Sequence, residues 1–309
     1  MDDVIREEHP LPQLKDPVLI AAFAVRQRAG RLAHTALSHL VEEWGADHVA
    51  TIAAEQFLDF IVRRPQVRRP DDVPVIDWPD TKLYVARPER AERDFLLLLG
   101  YEPNFYWHAF VDAVSGYAAA AGVRTVVNIR SFPASVPHTR PAPVLITSSD
   151  IELELQFGVQ ASASKEDGPA DIGAVLTAAM QATGCQIVDL SLLQPFYYPR
   201  IANAQATIAL AKTLDNAFGG KTDLEALEAA AAEQATAVEE SLADTKGAAQ
   251  MIRELEQTYD EGLERFEFLA PGVQPSGGQT SRSLPTGEEL IQDVERFLRE
   301  GGPTGGAEA

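Results

Sequence analysis

One cysteine, Cys185, stands in a chain of 309 residues. No disulfide can close within a single chain, and no CxxC pair is present to hold zinc. Positive charge is scarce. The chain has 26 Lys and Arg against 46 Asp and Glu, a net charge of −20. Such an acidic surface repels polyphosphate and anionic lipid, which argues against nucleic acid and membrane as partners. No apolar stretch has the length needed to cross a bilayer. Met1 to Pro10 is acidic without an apolar centre, unlike a signal peptide, so the expected location is the cytoplasm.

Enzyme signatures are also missing. There is no G-x-S-x-G elbow and no GxGxxG after a strand. Gly219-Gly220-Lys221-Thr222 imitates the end of a phosphate loop. Asp215, however, stands where the first glycine belongs, and a helix precedes it, so the segment reads as a helix cap. His34 and His39 are five apart on a helix, about 140° around it, and make a poor metal pair. No metal and no cofactor is expected. Cys185 reads as a buried small apolar residue, and His108, beside Trp107, as a packed helix residue.

What is present is an alternation of strands and helices. Val18–Phe23, His48–Ile52, Leu83–Ala86, Phe95–Leu99, Val123–Ile129 and Ile187–Leu192 are short apolar runs of strand type. Arg31–Trp44, Phe105–Ala121, Asp171–Thr183 and Asn203–Phe218 carry apolar residues at helical spacing. Arg63 to Trp78 is rich in proline and arginine, with short extended pieces. Strands spaced by helices predict βαβ units and a mostly parallel sheet covered on both faces, hence α/β with three layers over residues 15–220. Two alanine- and glutamate-rich helices then form a hairpin over 221–269. A Gly/Ser/Pro/Gln linker follows over 270–285. An amphipathic helix covers 286–300, with Leu290, Ile291, Val294, Phe297 and Leu298 on its apolar face. Residues 221 to 300 hold seven Lys and Arg against eighteen Asp and Glu, more than half of the net charge. Solvated helix faces explain this acid more simply than a basic partner does.

Two segments stand out as candidate sites. Pro137-His138-Thr139-Arg140-Pro141 follows the Val123–Ile129 strand, at the carboxyl edge where sites of open α/β sheets collect. The flanking prolines hold His138, Thr139 and Arg140 in place. Histidine can move protons and arginine can hold an anion, although a rigid structural or interface loop is the simpler account. Arg63, Arg64, Arg68 and Arg69 form a basic patch unusual on so acidic a chain. Pairing with the protein's own carboxylates is a simpler reading of that patch than anion binding.

Certain residues recur in a familiar order. These are Asp59-Phe60 with Arg64-Pro65 and Val67, Glu102-Pro103-Asn104 with Trp107 and Phe110, the Pro137–Pro141 loop, and Gly168-Pro169 with Ile172, Val175 and Leu176. The Glu289–Leu298 helix completes the set. Together they resemble the proteasome assembly chaperone 2 family, in its actinobacterial branch, over roughly residues 15 to 300. The resemblance implies a three-layer α/β/α domain of the phosphorylase/hydrolase-like kind and a tendency to oligomerise, trimer before dimer. It also implies a proteasome-related protein as partner class. The family's Gly-Trp-Asn-Asp-Ala-Gly after the first strand becomes Val25-Arg26-Gln27-Arg28-Ala29-Gly30. Its Gly-Pro-Thr-Gly-Ile-Val-Gly becomes Gly168-Pro169-Ala170-Asp171-Ile172-Gly173-Ala174. A strand-end pocket, if the family has one, is rebuilt here, with Arg26, Arg28 and Gly30 set to line it beside His138 and Arg140. The leading expectation is a non-enzymatic assembly or interaction protein. The alternatives are a small-molecule hydrolase or nucleoside-binding enzyme, and a small-anion-binding protein.

Overall fold

The computed structural model describes residues 4–25, 31–161, 168–197, 203–243, 245 and 247–261. The chain divides into Met1–Arg265 and Phe266–Ala309, and every described residue lies in the first unit. The expected linker, the last helix, and Arg26, Arg28 and Gly30 lie outside the described residues.

The elements follow in chain order. They open with β1 (Ile5–Glu7), β2 (Val18–Ala24), α1 (Leu32–Glu43), β3 (Asp47–Ile52), β4 (Gln66–Arg68) and β5 (Val75–Asp77). Next come β6 (Thr81–Ala86), β7 (Phe95–Tyr101), α2 (Trp107–Ala120), β8 (Thr125–Ala134), β9 (Val144–Ser148) and α3 (Ile151–Phe157). The series closes with β10 (Gln160–Ala161), α4 (Ile172–Ala182), β11 (Gln186–Pro195), α5 (Ala204–Phe218), α6 (Glu225–Leu242) and α7 (Ala248–Asp260). Nine strands form one sheet in the order β1-β3-β6-β7-β2-β8-β11-β9-β10. The central four, β7, β2, β8 and β11, are mutually parallel. On either flank β6 and β9 turn antiparallel to them. The two remaining strands, β4 and β5, pair only with each other, in an arm between β3 and β6.

The pleat sorts the core. Along β2 all seven residues are buried. Val18, Ile20 and Ala22 join the core on the face covered by α1, α3 and α5, while Leu19, Ala21 and Phe23 join the core on the face covered by α2 and α4. A strand covered on both faces has no polar positions to spare, which is why Val18–Phe23 reads as an unbroken apolar run. Each fully buried leucine, such as Leu96, Leu97 or Leu98, is worth roughly 1.5–3 kcal/mol over an exposed one. The result is an α/β/α sandwich, with α6 packed on α5 through Leu227, Ala231, Ala204 and Ile208.

Several expectations change in detail. Helix α2 begins at Trp107, because Tyr106 takes a left-handed conformation at φ 56° and leaves itself and Phe105 outside the helix. Strand β8 runs on to Ala134, five residues past the apolar run. The sequence reading assigns no element between residues 142 and 170, where the structure has β9, α3 and β10. His108 is exposed instead of packed, since it sits opposite the buried Phe110, Val111 and Val114 face of α2. Cys185 is only half-buried, at the turn entering β11, with its Sγ 3.8 Å from the Val123 carbonyl. The cap at Gly219 has φ 71°, and Asp215 accepts from the Thr222 backbone N–H and hydroxyl.

Candidate functional site

The carboxyl ends of β2, β7, β8 and β11 share one edge of the sheet. The loop carrying His138, Thr139 and Arg140 leaves this edge after β8. His138 is buried at 8% exposure. The Tyr197 hydroxyl lies 2.9 Å from its Nδ1, and also accepts from its backbone N–H at 2.9 Å. Its Nε2 is buried with no hydrogen-bond partner among the described residues. The ring lines a cleft of about 350 Å³, partly open to solvent, together with Pro195, Asn203, Gln205 and Gln234. Burial holds the imidazole below the usual histidine range, and the acidic Glu239 and Glu256 only partly oppose that.

The neighbouring residues are already engaged. The Arg140 guanidinium donates to both carboxylate oxygens of Asp260, at 2.9 and 2.7 Å, and to Glu256 at 3.0 Å. Thr139 donates to Glu256 at 2.6 Å, and the Tyr259 hydroxyl donates to the Pro141 carbonyl at 3.0 Å. These six residues clasp α7 to the loop. The helix has little else to hold it, because Ala248 is its only fully buried residue. Of the expected stripe, Ile252, Leu255 and Tyr259 are half-buried, and Leu263 and Phe266 lie outside the described residues.

A second polar cluster occupies the same edge on the face covered by α4. Asn128 of β8 donates to Asp189 of β11 at 2.7 Å. Arg130 approaches Asp171 at 3.8 Å and Asp189 at 4.0 Å. Asp171 caps α4 through the Ala174 N–H at 2.8 Å, and Glu102, just past β7, accepts from the Ile172 N–H at 3.2 Å. Burial raises the Asp189 carboxyl above its usual range, against the Asn128 hydrogen bond and the Arg130 charge. Burial likewise raises Glu102, against its backbone hydrogen bond. Gly173 permits the close fit: a Cβ there would lie 2.5 Å from Asn128 Oδ1. The cluster pins the start of α4 to three strands.

A third contact joins the basic patch to this edge. The Arg63 guanidinium lies 3.9 Å from the centroid of the Tyr101 ring, and His34 of α1 stacks on that ring at 5.5 Å. Burial, with Arg63 and Arg31 nearby, brings His34 down to about 4. Arg68 pairs with Asp77 across the arm at 2.7 Å, while Arg64 and Arg69 are exposed.

His138, Thr139 and Arg140 therefore stand together, while Arg63 lies over Tyr101 at the end of β7. The sequence reading overlooks Asn128, Arg130, Asp171 and Asp189 as a group. Their signal was present, since Asn128 and Asp189 are polar residues inside otherwise apolar strand runs. Chemically, the clusters bind charge to charge within the chain. The buried imidazole of His138 is engaged by the Tyr197 hydroxyl. Among the described residues no group of three or more His, Cys, Asp or Glu is disposed to hold a metal ion. None of the described helices is long and apolar enough to cross a membrane.

These features define an α/β/α protein whose strand-end loop is tied to its own α7. The chain belongs to the PAC2 family, whose model matches residues 27–242. It is similar to a PAC2 family protein from Streptomyces avermitilis, with 33% identity over 77% of this chain and all of that one, at a TM-score of 0.68. A Mycobacterium tuberculosis protein of unknown function is 30% identical over 84% of this chain and 90% of its own, at a TM-score of 0.75. A second M. tuberculosis protein, described as a proteasome-assembly chaperone homologue, is 31% identical over 76% of this chain and 99% of its own, at a TM-score of 0.66. No curated protein matches the chain.

Proposed function

We propose that this chain is a non-enzymatic, cytoplasmic assembly or interaction protein. It works as a homo-oligomer, a trimer before a dimer, with a proteasome-related protein as its partner class. The observation that carries the reading is the occupancy of the strand-end loop. Thr139 and Arg140 spend their hydrogen bonds on Glu256 and Asp260, and His138 spends its Nδ1 on Tyr197. A nucleophile needs a base within reach and an orienting third group, and none of these contacts supplies that set. Membership in PAC2, and likeness to a chaperone homologue from M. tuberculosis, support the partner class.

The test pairs two measurements. Purified chain is mixed with proteasome α-subunits and followed by light scattering, and a panel of esters, peptides and nucleosides is assayed with wild type and His138→Ala. A complex with the α-subunits and no turnover is expected. Turnover abolished by His138→Ala would overturn the non-enzymatic reading, and a mass of 33.5 kDa alone and in the mixture would overturn the assembly reading.

A further inference from the structure

Eleven large hydrophobic side chains are exposed among the described residues, and they fall in two places. Seven lie on the arm between Ile61 and Trp78. Phe105 and Tyr106 lie at its root, where the backbone N–H of Asn104 donates to the Phe57 carbonyl at 2.7 Å. The other two, Ile151 at 67% and Leu155 at 74%, lie on α3. Exposed large apolar side chains grouped in this way mark a contact with another molecule. The arm also has a stability problem. It is a lone two-stranded ribbon of three residue pairs, separate from the main sheet, and such ribbons are marginal in water.

The arm carries four arginines against Asp71, Asp72 and Asp77, a net charge of +1, whereas α3 carries two glutamates and no cation. Arg64 and Arg69 flank the arm's first strand, and neither has an ion-pair partner among the described residues. Glu152 and Glu154 interleave with Ile151 and Leu155 on α3, and their carboxylates likewise have none. The patches are also far apart. The arm rises between β3 and β6, second and third in strand order, and α3 joins β9 to β10, eighth and ninth. At about 4.8 Å per strand the separation is roughly 25–30 Å, so one copy's arm does not lie on its own α3.

We propose that the arm of one copy docks across α3 of a second copy of this chain, head to tail. One contact then covers both apolar patches, pairs the unmatched arginines with the unmatched glutamates, and gives the ribbon a surface to rest on. The contact joins different faces of the two copies, so it repeats from copy to copy and closes a ring where the rotation between copies allows. It rests on the homo-oligomer reading and specifies its interface.

The experiment is light scattering and sedimentation of the full chain, with circular dichroism as a check that each variant folds. Ile76→Asp on the arm and Leu155→Asp on α3 change exposed side chains, and each should weaken association at least tenfold. Arg64→Glu with Arg69→Glu should weaken it several-fold. Adding Glu152→Arg and Glu154→Arg to that same chain should restore it. A wild type that stays at 33.5 kDa overturns the homo-oligomer reading and this inference with it. An oligomer that tolerates Ile76→Asp and Leu155→Asp, or one lost through Phe297→Asp alone, leaves that reading standing and overturns this interface. So does a charge reversal that the second reversal fails to rescue.

Discussion

Two places on the same sheet edge use the same chemistry with opposite consequences. At α4, Arg130 lies between Asp171 and Asp189, with the buried Asn128 beside them. At α7, Arg140 lies among Glu256 and Asp260 at the surface. The α4 cluster is centred on Asn128, which is 1% exposed, and burial raises the Asp189 and Glu102 carboxyls, although Arg130 keeps about a third of its side chain in water. The α7 clasp has bidentate geometry, and hydrogen bonds from Arg140 hold the Asp260 carboxyl below its usual range, outweighing the opposing effect of burial. Interior polar groups are expensive to leave unmatched, whereas exposed pairs are screened and cheap to lose. The comparison teaches that contact geometry alone does not rank the two. Access to water does.

The comparison breaks first at Asn128. Asn128→Ala removes the hydrogen bond to a mostly buried carboxylate and should cost about 2–4 kcal/mol in urea unfolding. A loss no larger than that of a surface substitution would mean the α4 cluster is as dispensable as the clasp. The next largest effect comes from a third place on the edge. The unfolded chain protonates His34 near pH 6.5, and the folded chain only near 4. Between those values the unfolded state holds more protons, so stability falls as pH falls, by about 2–3 kcal/mol over the window. His34→Phe should flatten that part of the pH profile. A wild-type melting temperature that does not change between pH 6.5 and 4 would contradict it.

Gly173→Ala is smaller, about 1–3 kcal/mol, because the new methyl must push Asn128 off Asp189. The effect should vanish in the Asn128→Ala background, and additivity of the two would contradict the proposed contact. The smallest global effect belongs to Arg140→Ala. The melting temperature should hold, while amide protection along α7 falls. Salt should act in the same direction, since the screening length shrinks from about 10 Å at 0.1 M to 3 Å at 1 M. Loss of protection in β8 as well would mean that the clasp supports the core.

How far these places were legible in the sequence follows from the same physics. The central strands were readable because burial on both faces leaves continuous apolar runs, as in Val18–Phe23 and Phe95–Leu99. The far flank was not. Strands β9 and β10 have five and two residues, α3 has seven, and none is long enough to show a period. The Pro137–Pro141 loop was found, but its partners were not. Glu256 and Asp260 lie 116 and 120 residues from Arg140, and nothing local marks them among the many glutamates of that quarter. Asn128 and Asp189 were visible as polar interruptions in apolar strands, a signal that points to a partner without saying which one.

The strand order also has a consequence for synthesis. Strand β2 is the most apolar segment to leave the ribosome early, and no hairpin partner follows it. Val18 pairs with Phe95 on one side and Thr125 on the other. At about 5–20 residues per second, β2 waits roughly 4–15 s for its first neighbour. The centre of the finished sheet is thus an adhesive, unpaired ribbon throughout early translation. Nascent chains stalled between residues 30 and 90 should be the ones that chaperones hold longest.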